Sequence, residues 1–230
     1  MYSVQYGYRT IEYSIVEKEG LKSHYISVEK GIGVILKGKS ISIEKANKLI
    51  LNKAKWILDK LELVKLIDET IIVTGSRILY LGKKYYVELI INEELNEIKI
   101  DFTESKFSFH LPSKLNTQSL LNEAISAFYI EKAIGKIKPR INKWSKTTGL
   151  SFAEVKFKQL DKSWGSCTPS NKIIISLDAI KLPFSLIDYL IVHELVHTKV
   201  KSHSKEFWAE LSKHIPNWKE LDEKMYGMKL

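Results

Sequence analysis

One apolar segment of the sequence carries two histidines and a glutamate at a spacing that a helix would bring to one side. Residues 189–196 are apolar except for His193 and Glu194, and His197 follows directly. Residues four apart on a helix differ by about 40° in azimuth, so the two imidazoles would point to the same place. Because a helix this apolar would be buried, burying its three polar side chains would cost free energy, which indicates that they have a function. The segment therefore predicts a buried helix with a metal or catalytic site.

Histidine pairs of this spacing are typical zinc ligands, and a catalytic zinc needs a third protein ligand and one open position. His203 is the next histidine, but a continuous helix would rotate it by about 240° from His197. Lys199 and Lys201 favour the end of a helix. Ser204 suits the start of the next helix, so we expect a turn that brings His203 back to the ion.

Glu194 has a different role from the histidines. It lies about 100° around the helix from His193, too far to complete the ligand set but near enough to reach a water on the ion. A carboxylate there can accept the proton of that water and pass it to a leaving group. The residues thus predict a Zn²⁺-dependent hydrolase with metal ligands His193, His197 and His203 and the catalytic residue Glu194.

One alternative for the metal stays open. A structural zinc prefers four protein ligands, often including cysteine, and Cys167 could be the fourth. Phe207 and Trp208 are expected to anchor the helix that follows His203 and so to hold that ligand. His214 and Tyr226 are candidates for stabilising an oxyanion.

Composition excludes several classes of protein. No apolar stretch approaches the roughly 18 residues of a membrane span, and the first residues do not have the pattern of a signal peptide, so we expect no membrane contact. The single cysteine excludes an internal disulfide and favours a reducing compartment, and the expected location is the cytoplasm.

The net charge of +9 introduces a second class of partner. Most lysines lie near acidic residues, which is typical of a solvated surface. A basic stripe at helical spacing could nevertheless contact phosphates of a nucleic acid or a nucleotide. The stripe consists of Lys132, Lys136, Arg140 and Lys143.

Hydrophobic periodicity predicts an α+β fold with two domains, a β-rich N-terminal region at 1–112 and a catalytic domain of helices and a small sheet at 113–230. Pro112 and Ser113 mark the boundary. One helix, Ile43–Val64, interrupts the strands of the first region. The strands are predicted at Ile11–Val16, Tyr25–Val28, Ile32–Leu36, Ile71–Thr74, Ile78–Leu81, Tyr85–Ile91, Glu97–Phe102 and Lys106–Leu111.

The second region begins with a long predicted helix, Thr117–Lys146, which Pro139 should kink or split. Ser185 and Asp188 have the spacing of a capping box, so the apolar helix is expected to begin there and to run to about Val200. Further helices should begin near Ser204 and Asn217, and strands are predicted at Glu154–Leu160 and Lys172–Ser176.

Motifs along nearly the whole chain resemble the YgjP-like metallopeptidase family. They are K-A-K-W-I (Lys53–Ile57), Y-L-G-K-K-Y (Tyr80–Tyr85), W-G-S-C (Trp164–Cys167), the run D-Y-L-I-V-H-E-L-V-H that ends at His197, and H-S-K-E-F-W from His203.

This resemblance implies a zincin fold related to the SprT and WLM proteases and a peptide or protein substrate. It also implies the same ligands, His193, His197 and His203, and the same catalytic Glu194. The chain departs from the family pattern at Ser163, where arginine is expected, and at Asp178, where asparagine is expected.

Other functions remain compatible with a hydrolytic zinc. In a peptidase, Lys172–Ser176 would be the edge strand that pairs with an extended substrate. The basic charge instead permits hydrolysis of nucleotide phosphoanhydrides, and the SprT likeness suggests a protease acting on DNA-bound proteins. The histidine spacing also matches metzincins, but these need glycine where this chain has Val200.

Overall fold

The computed structural model describes residues 1–21, 23–29, 31–68, 71–103, 105–160, 163–225 and 228–229 of the 230-residue chain. Within these ranges the chain forms six α-helices and three sheets, so the predicted α+β class with a β-rich N-terminal region is confirmed. The chain groups into two compact units. The first comprises Met1–Asp68, Asp161–Ser163 and Asp222–Leu230, and the second comprises Glu69–Leu160 and Trp164–Leu221.

The first unit is a five-stranded sheet packed with two helices. Strand alternation buries Ile11 and Tyr13 against the apolar side of the helices, which includes Ile50 and Ile57. The strands are β1 (Tyr2–Tyr6), β2 (Arg9–Glu17), β3 (Tyr25–Glu29), β4 (Gly33–Gly38) and the short β12 (Met228–Lys229), in the order β1-β2-β4-β3-β12.

The single helix predicted at Ile43–Val64 is present as two helices, α1 (Ile43–Asn52) and α2 (Ala54–Asp68). Lys53 lies between them with φ −113° and ψ 12°, outside the helical region, and its N–H bonds the Ile50 carbonyl at 3.1 Å. The apolar spacing is the same on both sides of Lys53, so hydrophobic periodicity could not reveal the break.

Two sheets belong to the second unit. The four-stranded sheet has the order β5-β6-β8-β7, and the three-stranded sheet has the order β10-β11-β9. Their strands are β5 (Arg77–Tyr80), β6 (Lys83–Ile91), β7 (Lys99–Phe102), β8 (Lys106–Leu111), β9 (Glu154–Lys158), β10 (Gly165–Cys167) and β11 (Lys172–Ser176). Strands β5–β8 thus belong to the second compact unit; the domain boundary after residue 112 stays a prediction.

The other four α-helices of the described ranges follow residue 117 in the chain. They are α3 (Gln118–Thr148), α4 (Phe184–Lys199), α5 (Lys205–His214) and α6 (Trp218–Met225), whose residues from Asp222 onward group with the first unit. Helix α3 runs unbroken through Pro139, contrary to a predicted split. Buried Ala133, Ile137 and Ile141 on both sides of the proline provide the packing that maintains it.

The strand predicted at Ile71–Thr74 is wrong. The backbone N–H and carbonyl of Ile72 both bond the side-chain amide of Gln118, at 2.8 and 2.7 Å, instead of a neighbouring strand. A side chain 46 residues away therefore satisfies the backbone groups that a strand would use. None of the helices in the described ranges has both the length and the hydropathy of a membrane span.

Candidate metal centre

The segment just before helix α4 is held by the tight turn between β5 and β6. The β5–β6 turn, Leu81 and Gly82, bonds the carbonyls of Ile180 and Lys181 just before the helix, at 3.0 and 2.8 Å. Gly82 has φ +79°, and a Cβ there would lie 2.7 Å from the Cβ of Pro183, so this contact requires glycine.

The predicted capping box at Ser185 and Asp188 does not form. The residue that precedes the first turn of α4 is Pro183, and no side chain caps the helix. Asp188 instead accepts hydrogen bonds from Arg140 Nε at 2.8 Å and Trp144 Nε1 at 2.9 Å, which joins α4 to α3. The longer-range partners therefore replace the local cap.

The predicted turn after α4 is present. Helix α4 ends at Lys199, and Val200 leaves the helix with φ −125° and ψ 106°. Helix α5 begins at Lys205, with Ser204 at its N-cap position. His203 therefore lies in the connection between the two helices, which returns it to the side of α4 that carries His193 and His197.

The three histidines converge through their Nε2 atoms. His203 Nε2 lies 2.9 Å from His193 Nε2 and 3.2 Å from His197 Nε2. Ligand nitrogens at roughly 2.0–2.1 Å from a tetrahedral zinc would be about 3.3 Å apart, so the spacing suits one ion. Within the described part of the chain, these three side chains form the cluster of potential metal ligands (His, Cys, Asp or Glu) that lie close enough together to hold one ion.

Outer contacts orient two of the three rings. His197 Nδ1 lies 3.0 Å from the Val200 carbonyl, and His193 Nδ1 lies 3.4 Å from the Tyr189 hydroxyl. Such contacts at Nδ1 leave Nε2 free for a metal. Tyr189, buried one turn before His193 on α4, therefore contacts one of the candidate ligands.

Aromatic rings pack around the histidines. The ring of fully buried Phe207 lies within 4.4–4.8 Å of all three imidazoles, centre to centre. Trp208 stacks on His203 at 5.6 Å, and Trp218 stacks on Trp208 at 4.4 Å, centre to centre. Phe207 and Trp208 occupy the places expected of them; Trp218, on the next helix, had no sequence signal for this contact.

Burial keeps the imidazoles of His193 and His197 in the neutral form that binds metals. Desolvation, reinforced by the neighbouring imidazoles, lowers the pKa of His193 to about 3. Burial likewise lowers the pKa of His197, which is only 9% exposed. At neutral pH both rings are therefore available as ligands without loss of a proton.

Glu194 is buried beside the triad. It is 4% exposed, and its Oε2 has no hydrogen-bond partner among the described residues. Burial raises the pKa of this carboxyl to about 8. Gly165 of β10 is packed against it, since a Cβ built on Gly165 would lie 3.0 Å from Glu194 Oε1. A nearby cation would favour the ionised form and lower that pKa.

Cys167 does not join the histidine group. Its thiol lies 3.6 Å from the Thr168 carbonyl and 3.8 Å from Lys201 Nζ, and burial raises its pKa. The candidate site in the described part of the chain therefore offers three side-chain ligands, the number found in catalytic zinc sites. This arrangement favours an open coordination position over the closed four-ligand alternative.

Two other expectations concern more distant residues. His214 Nε2 lies 3.8 Å from Glu210 one turn earlier on α5 and is an ion-pair candidate rather than part of the triad. Tyr226 lies outside the described residues.

In the basic stripe, Arg140 bonds Asp188 and Lys132 bonds Glu131, so half of its cations have acidic partners.

The predicted edge strand is wrong. Strand β11 lies in the centre of its sheet, parallel to β9 and antiparallel to β10. Its five residues and apolar side chains made it the obvious strand, whereas β10 has only three residues. The hairpin with β10 is local, but the parallel pairing with β9 is not, so no local pattern shows that both edges of β11 are occupied.

Comparison with known proteins supports a metallopeptidase. No curated protein sequence matches the chain. Two solved metallopeptidase zymogens are similar in part: abylysin of Pyrococcus abyssi is 22% identical over 38% of this chain and 90% of its own, with a TM-score of 0.36. Jannalysin of Methanocaldococcus jannaschii is 21% identical over 39% and 92%, with a TM-score of 0.35. The metallopeptidase domain model of the YgjP-like family matches residues 22–227, so the chain belongs to the YgjP-like metallopeptidase family.

Proposed function

We propose that the chain is a zinc peptidase in which His193, His197 and His203 hold the ion and Glu194 is the catalytic base. The observation that carries the proposal is the convergence of three Nε2 atoms beside a buried, unpartnered carboxylate oxygen. Zinc, when bound, polarises the scissile carbonyl and makes water more acidic. Three imidazoles are a donor set that suits zinc better than magnesium or calcium, which prefer oxygen ligands.

Glu194 moves the proton in this proposal. Its carboxylate accepts a proton from the attacking water and then donates it to the leaving amine. Burial favours the protonated form and so makes donation easier, whereas the charge of the ion favours the ionised form that accepts. A carboxyl subject to both influences can perform both halves of the transfer near neutral pH.

The substrate would lie along β10. Two backbone hydrogen bonds flank β10 on the side of β11: the Ser176 N–H donates to the Trp164 carbonyl, and the Thr168 N–H donates to the Lys172 carbonyl. Because backbone groups alternate in direction along a strand, those of Gly165 and Cys167 point to the opposite edge. An extended peptide could pair with those groups next to Glu194. The substrate class is therefore a peptide or an unfolded protein segment, with β10 in the role first expected of β11.

Glu194→Gln is the test of this function. We expect it to keep zinc, because no ligand changes, and to lose peptide hydrolysis, because an amide cannot accept the proton. Metal analysis would measure the bound zinc and a screen against unfolded proteins and peptides the hydrolysis, with Glu123→Gln on the exposed face of α3 as the control. Hydrolysis at the wild-type rate by Glu194→Gln would contradict the proposal.

No observation favours nucleotide hydrolysis or a DNA-associated protease over a peptidase. Arg140 and Lys132 of the basic stripe have acidic partners, so Lys136 and Lys143 are the residues to replace with glutamate in a DNA-binding measurement. With a single cysteine in the sequence, a reducing compartment is chemically suitable, and we propose the cytoplasm as the location.

A further inference from the structure

The short connection that carries His203 is held at its beginning by α4. The Val200 N–H bonds the Val196 carbonyl at 2.9 Å, and the Val200 carbonyl lies 3.0 Å from His197 Nδ1. Val200 itself is extended, so the chain leaves the helix at this residue. The direction of the next residues therefore decides whether His203 reaches the other two histidines.

Lys201 supplies a second attachment. Its ammonium donates to the Thr168 carbonyl at 3.0 Å and to Asn171 Oδ1, and lies 3.8 Å from Cys167 Sγ. These three acceptors match the three donors of a lysine ammonium. Thr168 and Asn171 belong to the β10–β11 turn and Cys167 ends β10, all 30 to 34 residues earlier in the chain.

The turn that receives Lys201 is itself well defined. The Asn171 N–H bonds the Thr168 carbonyl at 3.0 Å, and the Thr168 N–H bonds the Lys172 carbonyl at 2.9 Å. Asn171 has φ +59°, a conformation that asparagine tolerates better than most residues. The acceptors of Lys201 are therefore fixed before the lysine reaches them, which reduces the entropy lost on forming the contact.

Lys205 provides a natural comparison. It lies two residues after His203, as Lys201 lies two residues before it, and it is exposed at the start of α5. In the described part of the chain no hydrogen bond or ion pair of the Lys205 side chain is found. The positive charge near His203 is thus similar on both sides, but the attachment to the turn belongs to Lys201.

We propose that Lys201 is a positioning residue that holds the segment carrying His203 against the β10–β11 turn and so fixes the third metal ligand. The inference rests on the proposed function, because it takes His203 as a ligand. Its consequence is that the ligand segment and the strand proposed to bind substrate form one connected unit. Lys201 touches no reacting atom, so its removal should act through metal affinity.

Zinc affinity of the purified full-length chain, measured by competition with a chelating dye, tests this assignment without any need for turnover. We expect Lys201→Met to weaken zinc binding by up to about tenfold, the lower end of the effect of losing a direct outer partner of a ligand, because Lys201 acts on His203 only through the backbone. Lys205→Met should bind zinc like the wild type. Lys201→Arg should recover most of the affinity, since a guanidinium can donate to the same two oxygens.

A double-mutant cycle isolates the contact itself. Asn171→Gly removes the acceptor while permitting the positive φ, so it should weaken zinc binding in the same direction without straining the turn. In the double variant with Lys201→Met, we expect no further loss beyond the larger single effect. Thermal unfolding of the metal-free variants would show that each is folded.

Wild-type affinity in Lys201→Met, or fully additive effects in the cycle, would overturn the assignment. The proposed function fails separately, through loss of peptide hydrolysis in a wild type that binds zinc. That result would leave the zinc affinities of the variants as a valid measure of Lys201.

Discussion

Glu194 is packed so closely against Gly165 that even a methyl group between them would move the carboxylate. A Cβ on Gly165 would lie 3.0 Å from Glu194 Oε1 and 3.1 Å from both Glu194 Cγ and Leu190 Cδ1. Contacts this short force a shift of a few tenths of an ångström, and small misplacements of catalytic groups reduce rates strongly. We expect Gly165→Ala to lower kcat for peptide hydrolysis roughly ten- to hundredfold.

Zinc affinity should distinguish this effect from general damage. The three atoms nearest the added methyl belong to Glu194 and Leu190, so Gly165→Ala should bind zinc nearly as the wild type does. Gly135→Ala is the matched control, because nothing lies within 4 Å of a Cβ at that helical glycine. Equal loss of kcat in both variants would show that the Gly165–Glu194 contact has no special role.

The buried carboxyl of Glu194 also predicts a pH effect on stability. Its folded pKa of about 8 is above the ordinary value of 4.5, so its contribution is fully present below pH 4.5 and is lost as pH rises through 8. We expect metal-free wild type to lose unfolding free energy relative to Glu194→Gln across that window, by on the order of a few kcal/mol.

Denaturant unfolding of both proteins at several pH values, with chelator present, would measure this difference. The lowered pKa of His193 acts in the opposite direction, because its contribution is lost as pH falls towards 3. That contribution is common to both proteins and largely cancels in the comparison. Parallel stability curves for the two proteins would contradict the effect assigned to Glu194.

At the scale of elements, local signals predicted the part of the fold that forms the site. The apolar helix, its end near Val200 and the new helix at Ser204 all depend on neighbours in sequence, and the structure places them there. Local signals failed where a distant residue forms the hydrogen bond instead. The Gln118 side chain bonds the backbone of Ile72, where a strand was predicted, and Arg140 bonds the carboxylate of Asp188, where a capping box was predicted. Which strand lies at the sheet edge also depends on distant pairing.

The Asp188 contact joins α3 and α4 and should contribute measurably to stability. Asp188→Ala would leave the guanidinium of Arg140 and the indole N–H of Trp144 without their shared acceptor. We expect a loss of about 2 kcal/mol in unfolding free energy, less than for a fully buried pair because both side chains are partly exposed.

Chemical unfolding would measure this loss. Glu44→Ala is the control, because its pair with Lys48 is highly exposed and should contribute well under about 1 kcal/mol. Similar losses in the two variants would indicate that the α3–α4 contact is no stronger than an ordinary surface pair.

At the scale of the whole molecule, the candidate site belongs to one compact unit. All three histidines, Glu194 and the Lys201 attachment lie in the second unit, whereas strands β1–β4 and helices α1 and α2 lie in the first. A ligand stabilises the conformations that bind it and leaves independent local openings unchanged. The effect of zinc should therefore depend on the unit in which an amide lies.

Hydrogen exchange with and without zinc tests that expectation. We expect zinc to slow exchange in the last turns of α4, in the connection around His203 and in the first turn of α5, because opening any of them separates the ligands. Amides of β2 and β4 should exchange at nearly the same rate in both states. His203→Ala should lose most of the protection in α5 while the β2 and β4 amides stay unchanged. If zinc protected β2 and β4 as strongly as α4, the metal would have to act on both units together, and the site could not be described within the second unit alone.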